Sequence, residues 1–155
     1  MKDKFYVTTP IYYVNAEPHI GHVYTTIIAD ILARFHRLNG KDVFFLTGTD
    51  ENSQKNVEAA EKEKLDVSKF VDKMSAIWKS KFKQLGFSFS DFIRTTEERH
   101  KKGVEEFFNR VNKKGDIYKA KYVGYYCAGC EAFVTKSDLV DGKCPLHKTE
   151  PEMIE

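Results

Sequence analysis

Two short, almost wholly apolar runs separated by a long helical pattern constrain the fold of this chain most. Phe5–Thr8 and Val43–Thr47 are rich in β-branched and aromatic residues, which is typical of strands buried on both faces. Between them, apolar residues recur at helical spacing over Val23–Leu38, and Asn39-Gly40 supplies the stop signal. Because a strand, a crossover helix and a second strand make a parallel pair, this segment predicts an α/β fold.

The alternation of strands and helices continues to about residue 112. The spacing of apolar residues predicts further elements at Ser53–Lys64 (helix), from Asp66 to Leu85 (helix), at Phe87–Arg94 (strand) and from the capping pattern Thr95–Glu98 to Asn112 (helix). After Asp116, short aromatic runs and clustered Cys and Gly replace the helical periods. We therefore predict two domains, residues 1–115 with a parallel sheet and residues 116–155 as a small second domain.

Composition and charge exclude several classes of protein. The 155 residues include 25 Lys and Arg against 23 Asp and Glu, a net charge of +2, so charge alone does not indicate nucleic-acid binding. No apolar run reaches the roughly 18–20 residues of a membrane span, and the N-terminus has no signal-peptide apolar region. An odd number of clustered cysteines favours a metal site in a reducing compartment. We expect a cytoplasmic protein without a membrane partner.

The three cysteines and one histidine form two metal-ligand hooks. Cys127 and Cys130 are separated by two residues, as are Cys144 and His147, and thirteen residues lie between the hooks. Three cysteines and one histidine are a common closed ligand set for structural zinc. The alternative is three unrelated buried cysteines, but the paired spacing favours a structural Zn²⁺ site that stabilises a segment poor in core residues.

A pair of histidines lies where the first predicted helix begins. His19 and His22 are three residues apart, so they can share one side of the first turn. Unpaired N–H groups and the helix dipole make such an end attractive to phosphate. Gly21 lets a ligand approach the backbone. From these residues alone, a nucleotide site and an ordinary polar helix cap are equally good interpretations.

A longer stretch of sequence carries a family resemblance. The run from Thr8 to His22, TTPIYYVNAEPHIGH, resembles the signature of class I aminoacyl-tRNA synthetases, and specifically of the methionyl-tRNA synthetases. FFLTGTDEN, residues 44–52, resembles the strand and loop that follow in that family. The resemblance covers essentially the whole chain. It implies the first half of a Rossmann-like nucleotide-binding fold, followed by a small insertion that carries a zinc knuckle.

The resemblance also implies roles for individual residues. His19 and His22 would contact the phosphates of ATP, with Mg²⁺ accompanying the nucleotide. Ile11 and Tyr13 would help to form a methionine pocket, and Asp50 would recognise the ammonium group of the amino acid. Without the resemblance, the residues favour structural roles: core positions for Ile11 and Tyr13, and a loop-capping carboxylate for Asp50.

The activity implied is ATP-dependent activation of L-methionine and its transfer to tRNA(Met) within a longer enzyme. We expect the 155-residue chain alone to make no methionyl-adenylate, because no second nucleotide-binding half follows in it. Two alternatives stay open. One is another class I synthetase, such as the cysteine, leucine or valine enzyme; the other is a non-catalytic zinc-containing module that binds RNA or protein. The sequence does not indicate an oligomeric state.

Overall fold

The computed structural model describes residues 2–154, which form two compact units that divide between Phe108 and Asn109. This division lies within a helix, Glu98–Lys113. The domains expected from the sequence, residues 1–115 and residues 116–155, stay a prediction. Within residues 2–154, no helix has both the length and the apolar character that crossing a bilayer requires.

The first unit is built around a parallel sheet, as the alternating pattern predicts. Its elements are β1 (Lys4–Thr8), β2 (Tyr12–Tyr13), α1 (Ile20–Leu38), β3 (Asp42–Asp50), α2 (Gln54–Lys62), α3 (Val67–Gln84), β4 (Asp91–Arg94) and the first part of α4 (Glu98–Lys113). β3 is the central strand. β1 and then β2 pair in parallel along one of its edges, and β4 pairs in parallel along the other. The α/β fold is confirmed.

Local capping explains where two of the helices begin. The Ser53 hydroxyl accepts the main-chain N–H of Lys55 at 3.1 Å and so caps α2. The carboxylate of Asp66 accepts the N–H groups of Ser68 (2.9 Å) and Lys69 (3.3 Å) and caps α3. Such caps satisfy donors that have no partner within the helix. Both starts agree with the predictions from sequence.

Two strands differ in length from their predictions. β3 continues to Asp50, three residues past the predicted end at Thr47, because β2 and β4 pair with this part of the strand. β4 is only the last half of the predicted strand Phe87–Arg94. Earlier in that segment, the main-chain N–H of Ser88 donates to the Asp30 carboxylate at 2.7 Å instead of to a neighbouring strand.

The main core lies between the sheet and α3. The apolar side of α3 is buried as its spacing predicts, with Trp78 and Phe82 fully buried. The buried residues of this cluster are Tyr12, Val14, Ala60, Phe70, Val71, Met74, Trp78, Phe82 and Phe92. Because this cluster contains residues next to the start of α1, it supports the segment in which the candidate site lies.

A second, smaller core cluster lies between α1 and β3, and α1 presents an unexpected side to the sheet. The buried residues of α1 are Thr26, Ala29, Asp30 and Ala33, of which the two alanines pack with Phe45 of β3. Most of the large apolar side chains predicted to form one face are exposed instead; they are Ile27, Ile28, Ile31, Leu32, Phe35 and Leu38. The helical spacing is confirmed, but that face is not the one packed on the sheet.

The second unit contains a small antiparallel sheet. Its strands are β5 (Gly124–Cys127), β6 (Ala132–Val134) and β7 (Glu152–Ile154), in the order β6-β5-β7. A short 3-10 turn, Lys136–Asp138, follows β6. β5 ends at the first cysteine, so this sheet positions one metal hook directly.

Candidate functional site

The two histidines form a reciprocal cap at the start of α1. His19 is the N-cap residue, and its Nδ1 accepts the main-chain N–H of Gly21 at 3.1 Å. His22 Nδ1 in turn accepts the main-chain N–H of His19 at 3.2 Å. The two imidazole rings stack with their centroids 3.7 Å apart. The rings are therefore oriented by the helix start itself.

This arrangement fixes the tautomer of both rings. A neutral imidazole carries one hydrogen, so a ring that accepts at Nδ1 has its hydrogen on Nε2. Burial lowers the pKa of His22, and the nearby His19 lowers it further. His22 also lies against Trp78, with ring centroids 4.8 Å apart. The pair is thus arranged to donate from Nε2 beside the positive end of a helix dipole.

Gly21 leaves space for the His19 ring. A Cβ at this position would lie 3.0 Å from Cε1 and 3.1 Å from Nδ1 of His19. A methyl group there would crowd the ring that accepts the N–H of Gly21. The absent side chain therefore serves the cap as well as the approach of a ligand to the backbone.

A cavity of about 400 Å³ lies beside the histidine pair. It brings together four residues for which the sequence predicted a role: Ile11, Tyr13, His19 and His22. The full lining is Ile11, Tyr12, Tyr13, Asn15, Ala16, His19, His22 and Lys55. No sequence pattern indicated a role for Lys55, whose Nζ lies 5.5 Å from the centroid of the Tyr13 ring. Its ammonium group adds a positive charge to a cavity that already contains two N–H donors.

Asp50 ends β3 and is the register partner of Tyr13. Its Oδ1 accepts the N–H of Asn52 at 3.2 Å, and its main-chain oxygen accepts from the side-chain amide of Asn56 at 3.1 Å. Asp50 lines a second cavity, of about 590 Å³, and does not line the first. Ile11 lines both cavities, so they share one residue of the predicted methionine pocket.

A buried carboxylate beside Asp50 was not anticipated from the sequence. The Glu51 side chain is fully buried. It accepts two hydrogen bonds from the Arg94 guanidinium (2.6 and 2.9 Å), one from the Thr49 hydroxyl (3.0 Å) and one from the Thr96 hydroxyl (2.5 Å). Arg94 also pairs with Asp72 of α3 at 2.5 Å. These bonds, first those to Glu51, raise the pKa of Arg94 above its usual range. Glu51 follows the end of β3 and Arg94 lies at the end of β4. Because the ends of parallel strands lie at the same edge of a sheet, this pair could have been predicted from the sequence.

The four metal-ligand candidates come together in the second unit. The Sγ atoms of Cys127, Cys130 and Cys144 and a ring nitrogen of His147 all lie within 4.8 Å of one another. Cys130 Sγ lies 3.3 Å from His147 Nδ1 and 3.5 Å from Cys144 Sγ. The other two sulphurs lie 3.8 and 4.0 Å from His147 Nδ1. All three cysteines are free of disulfides.

These separations fit a tetrahedral ion of the size of zinc. Bonds of about 2.3 Å to sulphur and 2.0–2.1 Å to nitrogen give tetrahedron edges of roughly 3.6–3.8 Å. Hydrogen bonds to the main chain and ring of His147 lower the pKa of the Cys144 thiol to about 6, which favours the thiolate that binds metal. A hydrogen bond shared with Cys144 raises the pKa of Cys130 to about 11. Three sulphurs and one imidazole nitrogen at these separations suit a metal ion that accepts soft ligands.

Gly129, between the first two cysteines, makes room for the histidine. A Cβ at Gly129 would lie 2.5 Å from Cγ of His147 and 2.6 Å from Cδ2. Two carbon atoms that are not bonded cannot lie 2.5 Å apart. Only glycine at position 129 therefore lets the His147 ring approach the turn that contains the cysteines.

Known proteins resemble this chain in sequence over nearly its whole length. Residues 5–153 match the model of the family described as tRNA synthetases class I (M). The methionine–tRNA ligase of Thermotoga maritima is 47% identical over 156 residues, which cover 98% of this chain and 25% of the relative. The chain therefore spans about a quarter of the length of this relative.

Two solved structures resemble the chain over nearly its whole length. The Mycobacterium tuberculosis methionyl-tRNA synthetase in complex with methionyl-adenylate matches with a TM-score of 0.90 and 38% identity, over 98% of this chain and 31% of that one. The Agrobacterium radiobacter K84 LeuRS, in a ternary complex with tRNA and LeuAMS, matches with a TM-score of 0.79 and 25% identity, over 99% and 20%. Both similarity measures are higher for the methionyl enzyme.

Proposed function

The chain belongs to the class I tRNA synthetase (M) family, a family of enzymes, and on that premise we propose that it takes part in ATP-dependent activation of L-methionine and its transfer to tRNA(Met). Since the chain spans 25% of the T. maritima relative, it would act as one part of a complete enzyme, which here means a full-length synthetase containing these residues. The reciprocal cap of His19 and His22 is the observation that carries the proposal.

The histidine pair is suited to the phosphates of ATP. Both rings hold Nδ1 against the main chain of the α1 N-terminus, so both present Nε2–H as a donor. Neutral donors fixed before the reaction stabilise charge that develops on phosphate without reorganising. Lys55, in the same cavity, adds a positive charge. Mg²⁺ would accompany the nucleotide as part of the substrate.

The amino acid would lie between Tyr13, Ile11 and Asp50. Tyr13 and Asp50 are side by side on β2 and β3, and Ile11 lines both cavities. An apolar wall next to a carboxylate suits a substrate with an apolar side chain and an ammonium group. In this arrangement the carboxylate of methionine faces the cavity that contains the histidines.

Activation then needs alignment more than acid–base chemistry. The methionine carboxylate is already ionised at neutral pH. One of its oxygens forms a bond to the α-phosphorus of ATP while the bond to the bridging oxygen breaks, and pyrophosphate leaves with that electron pair. His19 and His22 would stabilise the charge on the phosphates, and the neighbouring wall would hold the attacking carboxylate in line.

Zinc would have a structural role in the second unit. Cys127, Cys130, Cys144 and His147 would occupy all four positions of a tetrahedral ion and leave none for a substrate. The bound ion would supply folding free energy to a small sheet with few buried apolar residues.

The proposal is tested by methionine-dependent ATP–pyrophosphate exchange in the complete enzyme, with leucine, valine and cysteine as competing amino acids. We expect exchange with methionine only. Exchange with another amino acid would overturn the substrate assignment. The isolated 155-residue chain is the matched comparison, and we expect no exchange from it; measurable exchange by that chain would overturn the requirement for a longer enzyme.

A further inference from the structure

We propose that Glu51 and Arg94 are positioning residues that hold Asp50 in the orientation needed to bind the ammonium group of the amino-acid substrate. The inference rests on the proposed function, which gives Asp50 its role. Neither Glu51 nor Arg94 lines the cavity that contains the histidines or the one that contains Asp50. They would therefore act through the main chain on either side of Asp50.

The residues that flank Asp50 are both buried and both held in place. Thr49 is fully buried, and its hydroxyl donates to Glu51 and contacts the Ser75 hydroxyl at 3.2 Å. Glu51 donates its main-chain N–H to the Thr95 hydroxyl at 2.9 Å. Asp50 itself is only half-buried. The backbone is thus fixed on both sides of Asp50, which lines a cavity while its two neighbours do not.

The bidentate ion pair links three elements at this point. Arg94 is the last residue of β4. Its guanidinium donates to both carboxylate oxygens of Glu51 and also to the carboxylate of Asp72 on α3. The loop after β3 is thereby tied to a neighbouring strand and to a helix. Two parallel N–H···O bonds fix direction as well as distance, so Glu51 cannot rotate without breaking one of them.

The energetics of burial favour a positioning role over a stabilising one. Removing a carboxylate and a guanidinium from water costs about as much as their attraction returns, so a buried ion pair is weak evidence for stability. Two adjacent carboxylates, Asp50 and Glu51, would also repel each other. Arg94 neutralises Glu51, which leaves the charge of Asp50 available for a cation. In this arrangement the Glu51 carboxylate has a positioning role, and the Asp50 carboxylate binds the substrate.

The test compares kinetic constants of variants in the complete enzyme, with the number of active sites titrated. Glu51→Gln keeps the shape but loses the charge, and Arg94→Lys loses the fork. For both we expect the KM for methionine to rise roughly tenfold to a hundredfold, as for a misplacement of about 1 Å. We expect the KM for ATP to stay within about twofold, because the histidine cap shares no contact with this pair.

Two control variants separate positioning from the general loss of an ion pair. Lys73→Gln removes an exposed ion pair of α3, the one with Glu63, and leaves every bond of Arg94. Arg99→Gln removes a second arginine of the first unit, which pairs with Asp91 and Glu97. We expect both controls to leave the KM for methionine within about twofold of the parent.

The outcomes are distinct. Equal changes in KM for methionine and ATP, or a lower melting temperature with unchanged KM, would show a merely structural pair and overturn the inference. If Glu51→Gln and Arg94→Lys do not fold, Thr96→Val decides. It removes one hydrogen bond to Glu51 and should raise the KM for methionine severalfold; no change would overturn the inference. A parent enzyme without methionine-dependent exchange refutes the proposed function itself.

Discussion

The main-chain N–H of His19 donates to Nδ1 of His22 at 3.2 Å, so the first histidine sets the tautomer of the second. An ordinary helix cap needs only one acceptor side chain at the N-cap position. Here the second ring reaches back to the cap residue as well. As a consequence, both rings hold Nδ1 toward the main chain and have Nε2–H available as a donor to a ligand.

His22→Ala should slow methionyl-adenylate formation in the complete enzyme about a hundredfold or more while changing methionine affinity little. One prearranged donor is typically worth about 3–4 kcal/mol in the transition state. Single-turnover formation of the adenylate and equilibrium binding of methionine measure the two effects. Glu61→Ala, at an exposed position of α2, is the control and should change neither. Equal losses of rate and affinity for His22→Ala would contradict the role given to this residue.

Acid should destabilise the first unit through His22. Burial, and then His19, lower the pKa of His22 in the folded chain below its unfolded value of 6.5. The unfolded chain therefore binds more protons in this window, and stability falls as pH is lowered from 6.5 through the folded pKa. Urea unfolding followed by the fluorescence of Trp78, the single tryptophan, measures this change. His22→Gln should give a smaller dependence on pH, and an unchanged dependence would exclude His22 as its source.

Gly21→Ala and Gly103→Ala should affect different properties of the protein, although both place alanine in a helix. Alanine is favoured over glycine within a helix by about 1 kcal/mol. A Cβ at Gly103 meets no atom within 4 Å, whereas one at Gly21 crowds the His19 ring. We expect Gly103→Ala to stabilise the chain in urea and Gly21→Ala to slow adenylate formation at least severalfold. If Gly21→Ala behaved like Gly103→Ala in both assays, the His19 ring would not depend on that space.

The chain should bind one zinc ion, and its removal should unfold the second unit. Mass spectrometry under native conditions gives the stoichiometry, and NMR of the β5 and β6 amides before and after chelation reports the unfolding. Gly129→Ala should weaken zinc binding, because its Cβ would lie 2.5 Å from the His147 ring. Leu146→Ala, an exposed residue between two ligands, should bind zinc like the parent. Folded β5 and β6 amides in the zinc-free chain would contradict a structural role.

Features set by neighbours along the chain could be predicted from the sequence. Ser53 and Asp66 cap helices where their own sequence places them, and each metal hook brings its two ligands together within one tight local turn. The helical period of α1 is also local. Which face of α1 packs on the sheet is not, and there the apolar pattern favoured the wrong side: small residues such as Ala29 and Ala33 pack on β3, while the large ones are exposed.

The Glu51 network shows why part of the site could not be predicted. Thr95–Glu98 indicates a helix cap, which is a local interpretation of two threonine hydroxyls. In the structure the Thr95 hydroxyl accepts the N–H of Glu51 and the Thr96 hydroxyl donates to its carboxylate. These partners are 44 and 45 residues apart in sequence. A threonine hydroxyl can bond to a nearby main-chain group or to a distant residue. Which partner it has depends on how the strands pair, and this is not visible in the local sequence.

The position of Ile11 has a consequence for the design of inhibitors. This residue lines both a cavity that contains two histidines and a cavity that contains the Asp50 carboxylate. A compound with an anionic group at one end, a cationic group at the other and a thin apolar linker over Ile11 would occupy both at once. Joining two weakly bound fragments in this way makes the second contact intramolecular and multiplies their affinities. Replacing Ile11 by a bulkier residue would then be a direct route to resistance.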